Sequence, residues 1–278
     1  MPARGVVRGR GPALYWEPTT GRTEDSGRTQ LGNGGGPPLD RSDAGKGREA
    51  ARGLGPEGPA HAVAWSGGKD STLALHRART AGLRVTTLAS VVDGDTGRIP
   101  YHGTRADVLR TQASALGLDL ALARTAEGRG FEEAFTGLLE ELSASGIEGM
   151  VFGNVHLADV RAWWEKRVSA AGLEHVEPLW GGDPARLVRE YVGLGYRSRV
   201  VSVLLDSPAD PGWLGRELDR ELLEEIAARG GVDPCGERGE FHTVCRDGPL
   251  FLRPVDLRAG ETSEVEGHRI LDLAPAGG

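Results

Sequence analysis

From His61 onward, hydrophobic positions along the chain alternate between two spacings. His61 to Trp65 is a short apolar run that predicts a strand, and Arg84 to Val92, rich in Val, Thr and Leu, predicts a second. Leu118 to Ala123 and Ile147 to Gly153 predict two more. Between and after them, Ser71 to Ala81, Tyr101 to Gly117, Phe131 to Ser145 and His156 to Ala171 carry helical patterns. In the third of these, Phe131, Phe135, Leu138, Leu139 and Leu142 form one stripe. Strands alternating with helices predict right-handed crossovers and a mostly parallel sheet covered on both faces, an α/β fold.

Beyond Gly182 the order changes. Pro184 to Leu194 predicts a helix, Arg197 to Leu205 a strand, Trp213 to Arg229 a helix, and Asp233 to Thr243 a loop. Short Val, Ile and Leu runs from Leu250 to Leu273 predict a few antiparallel strands. The expected division is residues 59–181, then a smaller α+β unit over 182–278. Residues 1–60 show neither spacing. They hold 14 Gly and 7 Pro but only six Val, Leu, Ile or Phe. Such a stretch buries too little apolar surface to offset chain entropy, so residues 1–58 are expected to be a disordered tail.

Composition narrows the function. A net charge of −7 argues against a protein that coats nucleic acid, which needs a basic surface, and makes nucleic acid an unlikely partner. Two cysteines in 278 residues make no disulfide framework, and Cys235, His242 and Cys245 lack the paired spacing of a structural zinc site. No run approaches the roughly 20 apolar residues of a membrane span, and no apolar core follows the N-terminal arginines. A cytoplasmic protein is expected. Only three of the 33 basic residues are lysines, Lys46, Lys69 and Lys166, and one stands in the most chemically suggestive stretch.

That stretch is Ser66-Gly67-Gly68-Lys69-Asp70-Ser71, which joins the first strand to the first helix. Glycines at 67 and 68 let the backbone turn tightly and approach a ligand. Their N–H groups and the helix N-terminus form an anion nest. Ser66 and Ser71 add hydroxyls, Lys69 a point charge. Asp70 would be repelled by bare phosphate, which suits a Mg²⁺ ligand or a helix cap. The spacing fits neither the Walker A loop nor the dinucleotide fingerprint.

Three further stretches carry candidate chemistry. Gly153-Asn154-Val155-His156-Leu157-Ala158-Asp159-Val160-Arg161 ends the fourth strand, where ligands of open α/β sheets sit. His156 and Asp159 would share a helix face, with Asn154 as N-cap. Glu177-Pro178-Leu179-Trp180 follows, its Trp180 read as core or substrate-side. Then Cys235-Gly236-Glu237-Arg238-Gly239-Glu240-Phe241-His242-Thr243 crowds Glu237, Glu240 and His242 into one loop, which calls for a positive partner.

The first stretch resembles the PP-loop of N-type ATP pyrophosphatases, and the set together resembles the diphthine–ammonia ligase family, from about His61 to Phe251. The resemblance implies a five-stranded parallel sheet of adenine nucleotide alpha-hydrolase type, with ATP and Mg²⁺ as cofactors. It implies that a carboxylate is adenylated and passed to ammonia, releasing AMP and pyrophosphate. Ser66, Gly67, Gly68, Lys69 and Ser71 would then hold phosphates, Asp70 would help place Mg²⁺, and adenine would lie near Ala64 and Val91. Glu237 or Glu240 would bind ammonium, and one of these or His242 would take its proton. Gly153, Asn154, His156, Asp159, Trp180, Gly236, Gly239 and Thr243 would face the substrate. Which carboxylate is used, diphthine or another, stays open. Two other readings remain: an RNA-base-modifying PP-loop enzyme, marked by salt-sensitive tRNA binding, and a non-catalytic ATP or AMP sensor, marked by binding without turnover.

Overall fold

The computed structural model describes residues 58–277, so the tail expected before Gly58 lies outside the described residues. The chain runs β1 (Ala60–Ala64), α1 (Lys69–Thr80), β2 (Arg84–Val92), α2 (Ala106–Leu116), β3 (Asp119–Arg124), α3 (Phe131–Ala144), β4 (Ile147–Val151), α4 (Ala158–Ala170) and β5 (Glu174–Val176). These five strands form one sheet in the order β3-β2-β1-β4-β5, every pair parallel. The expected α/β architecture is therefore present. The order reverses between β1 and β4, and a crevice opens above the carboxyl ends of strands at such a switch point.

A second sheet follows. After α5 (Pro184–Gly193) come β6 (Arg197–Leu204), α6 (Arg220–Arg229), β7 (Phe241–Asp247), β8 (Leu257–Val265) and β9 (His268–Pro275). The strand order is β7-β6-β9-β8, all antiparallel. Local signals explain the boundaries. Gly117 ends α2 in a left-handed conformation, and Asp183 caps α5 by accepting from Arg186 N at 2.8 Å, with Pro184 in the first turn.

One face of the parallel sheet packs on α3 through Phe135, Leu138, Leu139 and Leu142 against Ala62, Met150 and Phe152. The other core runs from Val63, Leu73 and Leu75 into Val200 and Phe241 of the second sheet and Ile226 of α6. The two sheets thus share buried apolar surface, and β7 is held against the start of α1.

Four predicted elements shift. The helix expected from Tyr101 begins at Ala106, because Tyr101 (φ 61°) and Gly103 (φ 70°) form a turn closed by the Arg98–Arg105 bridge. The helix expected from Trp213 begins at Arg220. Residues 215–218 instead pair along β6, with Gly215 N donating to Val200 O at 2.8 Å and Leu218 N to Ser198 O at 2.7 Å. The helix expected from His156 begins at Ala158. The loop expected to reach Thr243 gives way to β7 at Phe241, so His242 and Thr243 are strand residues.

Candidate active site

The chain leaves β1 at the switch point and turns into α1 through Ser66–Gly68. Gly67 has φ 82°, and a Cβ there would stand 2.7 Å from Gln112 Oε1. At Gly68 a Cβ would stand 2.7 Å from the Thr243 carbonyl oxygen. Both positions therefore require glycine. The Gly68 carbonyl accepts from Ser71 Oγ at 3.1 Å and Thr72 Oγ1 at 2.8 Å. Ser66 Oγ accepts from Gly68 N at 3.4 Å and lies 3.4 Å from Ser71 Oγ. Gly68 occupies the cap position, so Asp70 sits inside the first turn rather than capping it.

The loop is braced from outside its own sheet. Lys69 N donates to Thr243 Oγ1 at 3.1 Å, and Cys245 N donates to Gly67 O at 2.8 Å. Gln112, fully buried on α2, donates from Nε2 to Gly67 O at 2.9 Å and Cys245 O at 2.6 Å. Its Oε1 accepts from Trp65 Nε1 at 2.9 Å. The Lys69 side chain is buried, with Nζ 3.0 Å from Asp70 Oδ2 and 4.8 Å from the Phe241 ring centre. Burial opposes its charge, but the carboxylates of Asp70 and Asp233 outweigh burial and hold the ammonium protonated, its pKa raised. Ala64 and Val91 lie on neighbouring strands at their carboxyl ends, Val91 buried and Ala64 half-buried.

Across the crevice, Gly153 passes the PP-loop helix so closely that a Cβ would lie 2.9 Å from the Asp70 carbonyl. Asn154 is not the helix cap: Leu157 holds that position, and Asn154 Nδ2 donates to Glu177 Oε1 at 2.7 Å. His156 precedes the helix, so it shares no helical face with Asp159, which is exposed. Its Nε2 is instead hydrogen-bonded to Asp233 and lies 3.2 Å from Glu237.

The acidic loop is a built structure rather than a free anionic patch. Glu237 accepts from Val155 N at 2.6 Å and His156 N at 2.9 Å. Glu240, 3% exposed, accepts from Asp233 N at 3.0 Å and Arg238 N at 3.1 Å. Each of these four carboxylate oxygens accepts one backbone amide, so both glutamates are anchored in the loop rather than free. Gly236 adopts φ 62° where a Cβ would meet the Phe241 carbonyl at 2.6 Å, and Gly239 adopts φ 86°. These glycines shape the turn. His156, Asp233 and Glu237 bring ligand atoms within 4.8 Å of one another, a set able to hold a divalent cation. His242 is buried and its ring stacks on His102, with centroids 3.8 Å apart.

The profile of the diphthamide synthase N-terminal domain matches residues 60–175, and that of the diphthamide synthase C-terminal domain matches residues 183–273. The chain belongs to the diphthamide synthase family. It is 26% identical over 219 residues to a diphthine–ammonia ligase of Danio rerio, covering 71% of this chain and 86% of that one. It is 25% identical over 233 residues to the diphthine–ammonia ligase of Homo sapiens, covering 76% and 86%. Among solved structures, the U34-tRNA thiolase NcsA from Methanococcus maripaludis with its [4Fe-4S] cluster aligns at 13% identity, with a TM-score of 0.31 over 70% of this chain and 75% of that one. So distant an alignment carries no argument about chemistry. Among the described residues, no helix is long and apolar enough to cross a membrane.

Further charged and aromatic side chains gather beside the candidate site. Arg161 lies 4.6 Å above the Trp180 ring, with Nε 3.1 Å from Glu177 Oε2. The Glu177 side chain is 3% exposed and lies 3.3 Å from His175 Nε2. Trp180 is half-buried, a platform for the guanidinium rather than a core residue. Arg161 and Glu177 stood at the ends of stretches already singled out. Gln112 and Asp233 carried no motif signal. Cys235 and Cys245 are free and buried, and burial pushes both thiols up, away from the thiolate form that sulfur chemistry needs.

Proposed function

We propose that this chain is an ATP-dependent amide ligase that adenylates a carboxylate and transfers the acyl group to ammonia. The observation that carries this reading is the loop at 66–71, pinned between two sheets with a buried, protonated Lys69 in its centre. Such a loop offers preorganised N–H groups and a fixed positive charge, which suit a departing pyrophosphate. The names of the curated relatives supply the acceptor chemistry.

The reaction balances in two steps. A carboxylate oxygen attacks the α-phosphorus, forming a C–O–P bond as the bond to the β-phosphate oxygen breaks and pyrophosphate leaves. Ammonia then attacks the acyl carbon, the C–O bond to AMP breaks, and one proton is released. Lys69 and the Ser66–Ser71 loop stabilise the charge that grows on pyrophosphate. Gly153 keeps the opposite wall clear beside Asp70. Arg161, held over Trp180 and beside Glu177, would dock the substrate anion. Asp70, whose side chain is 37% exposed beside the loop, fits a magnesium ion, which would lower the negative charge of bound ATP. Adenine would rest near Ala64 and Val91.

The adenylation step has a direct isotopic test. The candidates are diphthine, which the relatives' names give, and small carboxylates, each labelled with ¹⁸O in the carboxylate. One labelled oxygen is expected in AMP. Label recovered in inorganic phosphate instead would mean attack at the γ-phosphorus and would sink the adenylation step.

A further inference from the structure

Three histidines from three separate elements meet beside Lys69. His102 lies in the turn before α2, His242 on β7 and His268 at the start of β9. The His102 and His242 rings stack at 3.8 Å, and His242 and His268 lie 6.1 Å apart, centre to centre. His242 is 8% exposed and His268 6%. Each ring keeps one buried nitrogen without a hydrogen-bond partner: His102 Nδ1, His242 Nε2 and His268 Nε2. Buried polar atoms are ordinarily paired, so three unpartnered nitrogens in one cluster point to a ligand that satisfies them.

The surroundings select that ligand. Burial, then Lys69 and His268, lowers the His102 pKa to about 3. Burial, His102, Lys69 and His268 push His242 well below its ordinary range. Both rings are neutral at physiological pH, so each offers one acceptor nitrogen. The titratable neighbours are Lys69 from α1, Tyr101 from the turn, and Glu266 in the β8–β9 turn. The Glu266 backbone carbonyl, rather than its carboxylate, faces His268 Nδ1 at 3.3 Å. Lys69 repels a second cation, so ammonium is disfavoured. The carboxylates first expected to hold ammonium, Glu237 and Glu240, already accept a backbone amide at each oxygen. A small neutral N–H donor matches what remains.

We propose that His102, His242 and His268 form the ammonia subsite of this enzyme, accepting N–H hydrogen bonds from neutral ammonia next to the PP-loop. The proposal rests on the amide-ligase reading. In the transfer step the ammonia nitrogen bonds to the acyl carbon and AMP leaves with the electron pair of the broken C–O bond. The acidic N-protonated amide then sheds one proton onto a neutral imidazole, which returns it to solvent.

The test is a titration of the full chain, labelled with ¹⁵N-histidine and saturated with MgATP. Ammonium chloride is added at pH 7.5 and 8.5, and the ring-nitrogen resonances, assigned through single His→Gln variants, are followed by NMR. The three resonances are expected to move together, at about tenfold less total ammonium at the higher pH, because free ammonia governs them. MgATP binding by each variant shows that it has folded, and the wild-type titration stands without the variants. Shifts that follow total ammonium at both pH values would overturn the proposal in favour of a cation site. The same shifts produced by sodium acetate would make the cluster a carboxylate pocket, and no shift would leave it without this ligand. Failure of the ligase reading itself shows separately, as ADP rather than AMP among the products.

Discussion

Lys69→Met is expected to slow AMP formation by about 10²–10³-fold while leaving the protein folded. The effect is large because the ammonium is not one surface charge among many. It is buried, lies 3.0 Å from Asp70, and sits in a loop whose backbone is fixed by Thr243, Cys245 and Gln112. Methionine refills the space against Phe241 at nearly the same length, so no large cavity opens. Asp70 loses its partner, but more than a third of its side chain reaches solvent, which limits the cost of leaving it unpaired. Steady-state AMP production and urea denaturation, measured on the same preparations, separate chemistry from stability. An AMP rate within a few fold of wild type would remove Lys69 from the mechanism.

Gln112→Leu is expected to destabilise the fold by about 2–5 kcal/mol and to weaken ATP binding. Its amide joins three partners on two sheets: Trp65 Nε1, Gly67 O and Cys245 O. Leucine keeps the volume but leaves the indole N–H and the Cys245 carbonyl buried without partners. Gly67 O retains Cys245 N, which limits the loss. Because the same amide fixes Gly67, the PP-loop should also lose its preorganisation. Denaturant midpoints with and without MgATP read both effects. A loss below about 1 kcal/mol would show that water replaces the amide at this junction.

Much of the parallel sheet was legible because its signal is local. β2 has the predicted bounds, and α1, α3 and α5 fall within a residue or two of expectation. The PP-loop was legible for the same reason, since strand, glycines, lysine and helix are contiguous. Failures came where a distant partner decides the conformation. Residues 215–218 carry helix-compatible composition yet pair with β6, because their backbone groups find Ser198 and Val200 there. Gly215 and the Asp219 cap marked that break in the sequence. Asn154 looked like a cap, but buried Glu177 on the neighbouring strand end claims its side chain.

The acidic loop shows a deeper limit. Residue spacing put Glu237, Glu240 and His242 together, yet it gave no sign of which atoms each would meet. Backbone amides claimed both glutamates, and the strand that begins at Phe241 turned His242 towards His102 and His268, which lie far away in the chain. Gln112 was invisible for a related reason. An interior glutamine on a helix has no motif, and its importance lies entirely in three partners on other elements.

The central claim is cleavage of ATP between the α and β phosphates, driven by a carboxylate and completed by ammonia. Its most direct test follows ATP by ³¹P NMR in the presence of Mg²⁺, ammonium and the carboxylate candidates. The account predicts AMP and pyrophosphate in equal amounts, with an equal amount of amide, and no such products from Lys69→Met over the same period. ADP and inorganic phosphate as the carboxylate-dependent products would contradict it.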